Sequence, residues 1–196
     1  MRYRTVYCLL FLLVSFSLLA QSMPGELLDF NQASIAHQRS AMLTLGGWAV
    51  INIGTGLALR GGTSGGAREF HTMNALWNTV NLGIAGFGYW SAARSNPAGW
   101  DLAQSLNEHQ NFQQILLFNA GLDVGYIMGG LYLTERAKRP GANADRLRGF
   151  GKSIMLQGGF LMLFDLANYF IAMSRDDRIE LLLGPTQYGL GLSWTF

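Results

Sequence analysis

The chain has 196 residues, a length that suits one domain with a sizeable core. Charged residues make up only 13% of it, about half the usual share, and glycine reaches 25 residues. This composition is typical of a helical membrane protein, in which small residues let helices approach closely. The net charge is only +2 and the basic residues form no continuous row, which argues against a nucleic-acid partner. The single cysteine, Cys8, excludes an internal disulfide.

Residues 1–22 resemble a secretory signal peptide. Arg2 and Arg4 form a basic start, residues 6–20 are largely apolar, and Ala20-Gln21-Ser22 has the small-x-small pattern of a cleavage site. Cleavage after Ala20 and an uncleaved signal anchor are the alternatives. We therefore divide the chain into a signal peptide, a transmembrane domain and a C-terminal tail, which cover residues 1–22, 23–174 and 175–196.

Four long stretches that are nearly free of charge predict membrane-spanning helices. They cover residues 41–59, 70–93, 112–134 and about 151–173. The amphipathic segment before them, residues 26–40, forms either an interfacial helix or the first turns of the first span. In the third span three glycines recur at spacings of four, which makes a ridge suited to close helix packing: Gly121, Gly125 and Gly129. The predicted fold is an all-α, four-helix transmembrane bundle.

A short β-hairpin is predicted at the C-terminus. Residues 179–183 and 188–196 flank a Gly184-Pro185 turn signal, and the second segment alternates strictly up to Phe196. That ending resembles the terminal strand of outer-membrane barrels, but a barrel needs many such segments. We therefore predict a hairpin appended to the bundle. The protein as a whole is predicted to lie in the cell membrane of a bacterium, with the outer membrane as the alternative location.

The Lys and Arg residues indicate the orientation of the chain. If the mature N-terminus lies outside the cytoplasm, ten of the 14 basic residues lie in inner segments, counting Arg2 and Arg4 of the leader. Because insertion favours basic residues on the cytoplasmic side, both ends of the mature chain are predicted to lie outside. The four basic residues of the outer segments are then Arg39, Arg94, Arg175 and Arg178.

The second span is uncharged but not apolar throughout. His71, Asn74, Asn78 and Asn81 recur at spacings of three, four and three, which places them on one helix face. Amide side chains are tolerated in hydrocarbon only when they find partners on other helices. This helix is therefore predicted to be the inner member of the bundle.

Polar residues of the other spans are predicted to meet this face. At ~1.5 Å per residue, Asn52, Asn81 and Asp123 each lie roughly 16 Å deep, with Asp165 and Asn119 about one turn nearer the outer face. A buried carboxylate must be protonated, paired with a donor, or in contact with water or a cation. Interhelical hydrogen bonding alone is one interpretation, and a ligand or ion site is the other. The candidate site residues are Asn52, His71, Asn74, Asn78, Asn81, Asn119, Asp123, Gln157 and Asp165.

Two further patterns are weak. The glycine-rich loop 60–68 lacks the lysine of a phosphate-binding loop and follows a helix rather than a strand, so we interpret it as a flexible turn. His37, Glu108 and His109 could meet at the outer face and hold a metal or haem, but their spacing matches no ligand motif. Solvated histidines are the simpler interpretation, and we assign no catalytic residue, metal ligand or cofactor.

Three runs, LGGWAVINIGTG, FHTMNALWNTVNLGIA and LQGGFLMLFDLANY, are similar to an uncharacterised bacterial family of small exported multi-helix membrane proteins, classed as a domain of unknown function. The resemblance covers the chain from about residue 41 to the C-terminus. It implies no activity. It does imply a shared fold and a common polar set, which comprises Asn52, His71, Asn74, Asn78, Asn81, Gln157 and Asp165.

Three classes of function fit these observations. The first is a non-enzymatic structural or interacting protein, whose partners are the lipid bilayer and a second copy or another membrane protein. The second is a small transporter, channel or ligand-binding protein with an intramembrane site around Asp123 and Asp165. The third is a membrane enzyme or redox protein built on the histidines. We predict the first, whereas a ligand-sized cavity lined by both acids would favour the second.

Overall fold

The computed structural model describes residues 2–179, and it describes side chains from residue 25 onward. A short 3₁₀ helix, Pro97–Gly99, interrupts the chain near its middle. The prediction of an all-α bundle of four helices is confirmed for the residues described. These helices are α1 (Arg2–Arg60), α2 (Gly65–Arg94), α3 (Leu102–Arg136) and α4 (Ala144–Met173).

The connections between the helices are short and chemically defined. Gly65 has a φ of 56°, a conformation that favours glycine, so the chain turns tightly into α2. Asp101 caps α3 by accepting a hydrogen bond from the backbone N–H of Gln104 at 2.7 Å. Asn143 caps α4 in the same way, accepting from the N–H of Arg146 at 3.2 Å. Short connections of this kind make consecutive helices antiparallel neighbours.

Three of the four described helices are long and apolar enough to cross a bilayer, which is consistent with a membrane protein. They lie within the segments Gly25–Arg60, Leu102–Arg136 and Ala144–Ile179. The sequence predicts four such spans. The remaining helix, α2, has 30 residues and thus the length to cross, but asparagines occupy its buried face and lower its hydropathy.

Most of the predicted C-terminal hairpin, residues 180–196, lies outside the described residues. Within residues 2–179 no β-strand is present. Ile179, which the sequence assigns to the first hairpin strand, is helical and is buried against Phe30 of α1. The strand assignment is wrong at this residue because its side chain completes an apolar contact with a helix rather than with a second strand.

The helices pack in the order α1, α2, α4, α3. α1 and α2 are antiparallel, with Gly56 beside His71 near one end and Arg39 beside Ala92 near the other. α3 and α4 form a second antiparallel pair. α2 and α4 therefore lie side by side at the centre and run parallel, whereas α2 and α3 do not pack closely and leave a gap between them.

Glycines mark the points where helix backbones come closest. A Cβ atom on Gly130 of α3 would stand 2.6 Å from the carbonyl oxygen of Gly151 on α4, and the reverse distance is also 2.6 Å. Gly149 of α4 makes a similarly close approach to Gly66 of α2. These contacts fix how α4 sits between its two neighbours.

The predicted ridge of Gly121, Gly125 and Gly129 is not used inside the described bundle. No atom of a neighbouring helix lies within 4 Å of where their Cβ atoms would stand. All three glycines are exposed. Another face of α3, the one that carries Gly130, turns toward α4 instead.

The bundle exposes apolar side chains and buries many polar ones. Phe87 is 70% exposed, and Phe118 and Leu163 are each 68% exposed. Asn78 and Gln157, by contrast, are completely buried, at 0% exposure. A protein in water shows the reverse distribution, so this pattern fits apolar surroundings in which amides must find partners inside.

The two ends of the bundle differ in charge. We call one the basic end, because its residues 60–69 and 135–152 contain eight Lys or Arg and three Asp or Glu. We call the other the histidine end, formed by residues 25–40, 94–109 and 174–179, which contain four Lys or Arg and six Asp or Glu. The described bundle is therefore electrically polar along its axis.

Candidate functional site

Three helices are joined by a closed ring of hydrogen bonds, which we call the amide ring (Trp48, Asn52, Asn74 and Gln157). The indole N–H of Trp48 on α1 donates to Gln157 Oε1 on α4 at 2.8 Å. Gln157 Nε2 donates to Asn74 Oδ1 on α2, and Asn74 Nδ2 donates to Asn52 Oδ1 on α1 at 2.9 Å. Asn52 Nδ2 closes the ring by donating to the backbone carbonyl of Trp48 at 2.8 Å.

The three amide side chains of the ring have almost no contact with solvent. Asn74 is 4% exposed and Asn52 is 7% exposed. Trp48 also stacks on Phe160 of α4, with 3.7 Å between the ring centroids. A buried amide left without a partner costs roughly 1–3 kcal/mol, so each member of the ring depends on the others. The ring links α1, α2 and α4 and needs no ligand to do so.

A second set of amides extends from the ring along α2 toward the histidine end. Asn78 Nδ2 donates to the carbonyl of Asn74 at 2.8 Å. Asn81 Nδ2 donates to Asn78 Oδ1 at 3.4 Å, a long and therefore weak bond. Asn81 also lines the gap between α2 and α3. It therefore connects the amide ring to that gap.

Asp123 of α3 and Asp165 of α4 form a buried carboxyl pair. They are 2% and 5% exposed, and their side chains interact directly. Among the described residues, neither acid has a Lys or Arg within salt-bridge distance, and Asp123 Oδ2 has no hydrogen-bond partner. Two ionised carboxylates in contact repel each other, so the pair needs a proton or a cation between them.

The carboxyl pair lines a cavity of about 330 Å³ in the gap between α2 and α3. Trp77 of α2 and Tyr126 of α3 meet edge to face beside it, with 4.8 Å between their centroids. Val80 and Ile115, also in the lining, are 63% and 57% exposed, so the cavity opens sideways through the apolar belt of the bundle. Its volume lies at the lower end of the range of small-molecule sites.

The structure divides the predicted site residues into three groups. His71 stands apart: it is half-buried beside Phe70 and lines a separate cavity at the basic end with Arg148 and Lys152. Four residues belong to the amide ring and its extension, namely Asn52, Asn74, Asn78 and Gln157. Four residues line the cavity, namely Asn81 (which also ends that extension), Asn119, Asp123 and Asp165.

The prediction that Asn52 and Asn81 share one depth is wrong. Asn52 is level with Asn74, to which it is hydrogen-bonded, and Asn81 lies seven residues farther along α2. At ~1.5 Å per residue, Asn81 is about 10 Å nearer the histidine end. Counting from Phe70, where the uncharged stretch begins, fails because α2 itself begins five residues earlier, at Gly65.

The histidine end contains a second polar cluster. Arg175 Nη2 donates to His37 Nδ1 at 2.7 Å, and His37 Nε2 donates to Asn168 Oδ1 at 2.9 Å. His109 Nε2 lies 2.7 Å from Asp176 Oδ1. These contacts tie the turn that follows α4 to α1 and α3.

The interpretation of His37 and His109 as solvated histidines is wrong, because both find partners on the segment of α4 and its following turn. His109 is 3% exposed, and His37 is half-buried. Their ring nitrogens bond to separate partners instead of converging on one point. Among the described residues, no three His, Cys, Asp or Glu side chains form a group that could hold a metal ion.

Trp48, Arg175 and Asp176 were not among the predicted site residues. Trp48 stands four residues before Asn52, so the two share a helix face, and this spacing is a usable signal. No local pattern points to Asp176, because its partner His109 lies 67 residues away in the chain. Such contacts depend on how distant helices pack.

Comparison with known proteins identifies a family. A search of curated proteins found no match, and a search of solved structures found none either. A family of unknown function, DUF6992, matches residues 44–166, more than half of the chain. The matched range contains the whole amide ring and both acids of the carboxyl pair. The chain therefore belongs to the DUF6992 family, as its resemblance to a family of unknown function predicts.

Proposed function

We propose that this protein is an integral membrane protein that binds a small amphipathic molecule at the carboxyl pair. The observation that carries the proposal is Asp123 Oδ2, which is buried without a partner among the described residues, in an acid that lines the cavity. A ligand that brings a cation or a hydrogen-bond donor would satisfy this oxygen and relieve the repulsion between the acids. The apolar lining would receive the rest of the ligand.

The location in a bilayer is supported by the three apolar helices and by the exposed apolar side chains. The excess of basic residues at the basic end favours a cytoplasmic position for that end and an outer position for the histidine end. Export of the chain to the cell membrane is supported by the signal-like residues 1–22. In this arrangement the cavity opens into the apolar layer, so a ligand enters sideways from lipid.

Charge favours an amine as the polar group of the ligand. No Lys or Arg lines the cavity, so an anionic ligand would meet two acids without a counterion. A protonated amine would instead form a charge-assisted hydrogen bond with the carboxyl pair. The cavity of about 330 Å³ holds a ring or a short chain, and its side opening leaves room for a longer tail in the lipid.

The proposal is tested by quenching of Trp77 fluorescence, because this side chain lines the cavity. Full-length protein in detergent micelles is titrated with a brominated alkylamine, whose bromine quenches indole on contact. A brominated alkane of the same length serves as the neutral probe. We expect the amine to quench at lower concentration than the alkane, and Trp77→Phe to remove that part of the signal.

Substitution of the acids completes the test. Asp123→Asn and Asp165→Asn keep the size of the side chain, and each is expected to weaken amine binding about tenfold or more. Glu108→Gln is the matched control, because this acid of α3 lies outside the cavity, and it should leave binding unchanged. Equal quenching by amine and alkane, or full amine binding in both Asn variants, would contradict the proposal.

A second candidate is the non-enzymatic structural or interacting role. It is favoured by the amide ring, which is complete without a ligand, and by the exposed ridge of Gly121, Gly125 and Gly129, which a partner helix could approach closely. Under this role the carboxyl pair serves packing alone. Asp123→Asn and Asp165→Asn would then change the stability of the protein. The amine and the alkane would quench Trp77 equally weakly, and neither variant would change that quenching.

A further inference from the structure

We infer a second site at the basic end, where three arginines bind an anionic phosphate group. Arg136, Arg139 and Arg146 line one open cavity of about 580 Å³, which we call the arginine cavity. α3 ends at Arg136 and α4 begins at Ala144, so the cavity lies around the turn between the two helices. It is separate from the carboxyl pair: the inference rests on the membrane location in the proposed function but not on a ligand binding at the acids.

None of the three arginines has a carboxylate partner among the described residues, where the salt bridges join Lys138 to Glu135 and His109 to Asp176. Arg136 Nη1 donates to the hydroxyl of Tyr132 at 3.1 Å, and the guanidinium of Arg146 stands 5.1 Å from the ring centroid of Phe150. Both contacts leave the positive charges uncompensated. Three like charges around one cavity repel each other, and a bound anion removes that cost.

The turn that carries these arginines is held by its own backbone. The N–H of Arg139 donates to the carbonyl of Arg136 at 3.2 Å, and the N–H of Ala142 donates to the carbonyl of Arg139 at 3.2 Å. Gly141 has a φ of 77°, which favours glycine and lets the chain reverse before the cap at Asn143. A turn already fixed in this way loses little further freedom when a ligand binds.

The chemistry of the cavity favours phosphate. The planar fork of a guanidinium matches two phosphate oxygens, and arginine is the usual residue for such pairing. Tyr132 lies one turn before Arg136, the position that aromatic side chains take at a membrane surface, so the arginines stand at headgroup depth. Membrane orientation alone requires basic residues on one side, but it does not require three of them to line one cavity.

Two sources can supply an anionic phosphate, a phospholipid headgroup and a soluble phosphate compound, and the first arm of the experiment tests the lipid. Full-length protein in mild detergent is offered equal amounts of phosphatidylglycerol and phosphatidylcholine, and bound lipid is counted by native mass spectrometry. We expect phosphatidylglycerol to be retained preferentially. Arg139→Gln and Arg146→Gln should each lower that retention about fivefold.

Lys138→Gln is the matched control, because it removes the same charge from the same turn but from a side chain paired with Glu135. It should leave retention of phosphatidylglycerol unchanged. The second arm replaces lipid with inorganic pyrophosphate and measures thermal unfolding. Stabilisation of the unmodified chain and of Lys138→Gln, lost in both arginine variants, would assign the site to soluble phosphates.

Preferential binding of phosphatidylglycerol or of pyrophosphate supports an anion site at the arginine cavity. The compound that binds shows whether the phosphate comes from a lipid headgroup or from a soluble compound. Size-exclusion chromatography of each variant checks that it remains folded, so that a loss of binding can be distinguished from a loss of structure. The inference is overturned if neither phosphatidylglycerol nor pyrophosphate binds preferentially. It is also overturned if Lys138→Gln lowers binding as much as Arg139→Gln does, since net charge alone would then explain the result.

Discussion

At the scale of single residues, amide hydrogen bonds hold this interior together where apolar contacts would do so in water. In the proposed bilayer location, an apolar side chain gains little by leaving lipid for the core, whereas an amide without a partner is costly there. Gln157 shows the principle, because it accepts from Trp48 on one helix and donates to Asn74 on another with no exposed surface. The pattern of Asn and Gln in the sequence was therefore informative about which helix faces turn inward.

Substitution of Gln157 tests the amide ring. Gln157→Leu leaves the indole N–H of Trp48 and Oδ1 of Asn74 unpaired, and we expect it to lower the free energy of unfolding by about 2 kcal/mol. The measurement is unfolding in mixed micelles with increasing dodecyl sulfate, followed by circular dichroism. Gln114→Leu, at an exposed position of α3, should change it by less than about 0.5 kcal/mol. Equal losses would show that the ring is not stabilising.

At the scale of helices, α3 shows what the sequence reveals about packing and what it leaves open. The glycine ridge was visible from its spacing, but spacing does not say which face of α3 turns inward. Asp123 and Gly130 are seven residues apart and share a face, and this face meets α4. Gly121 and Gly125, two residues from Asp123, point to nearly the opposite side. The buried acid thus decides which glycines pack.

A pair of glycine substitutions tests this assignment. In Gly151→Ala the new Cβ would stand 2.6 Å from the carbonyl of Gly130, and we expect a loss of about 1–3 kcal/mol in the free energy of unfolding. Gly125→Ala meets no neighbour and improves helix propensity, so stability should stay the same or rise by up to about 1 kcal/mol. The same micellar unfolding assay measures both. If Gly125→Ala lowered the free energy of unfolding more than Gly151→Ala does, the glycine ridge would have to pack against another helix.

At the scale of the whole molecule, the fold class and the charge difference between the ends could be predicted because both follow from local properties. Uncharged length and helical periodicity give the four helices, and counting Lys and Arg gives the polarity of the bundle. The register between helices and the convergence of side chains on one site could not be predicted, since both depend on how segments distant in the sequence pack together. Asn52 pairs with Asn74 instead of lying level with Asn81, and Arg136 meets Arg146 only because the turn between α3 and α4 brings them together.

The charge difference leads to a prediction about orientation. In a chain whose only cysteine is replaced by Cys8→Ser, Asn96→Cys is placed in the connection at the histidine end and Gly62→Cys at the basic end. On intact bacterial cells a membrane-impermeant maleimide should label Asn96→Cys, and it should label Gly62→Cys only after permeabilisation, because basic connections stay in the cytoplasm. The reverse labelling would contradict the orientation and the proposed position of the arginine cavity.

Two hydrogen bonds of α1 join residues that lie far apart in the sequence, and this separation has a consequence for biosynthesis. Trp48 and Gln157 are 109 positions apart, and His37 and Arg175 are 138 apart, so in the proposed bilayer location α1 enters the membrane well before its partners have been translated. A nascent chain stopped between α3 and α4 would leave these groups unmet in the bilayer. In that location, docking of α4 is the step that completes the described bundle, and these groups are paired only in a chain that contains α4 and the turn after it.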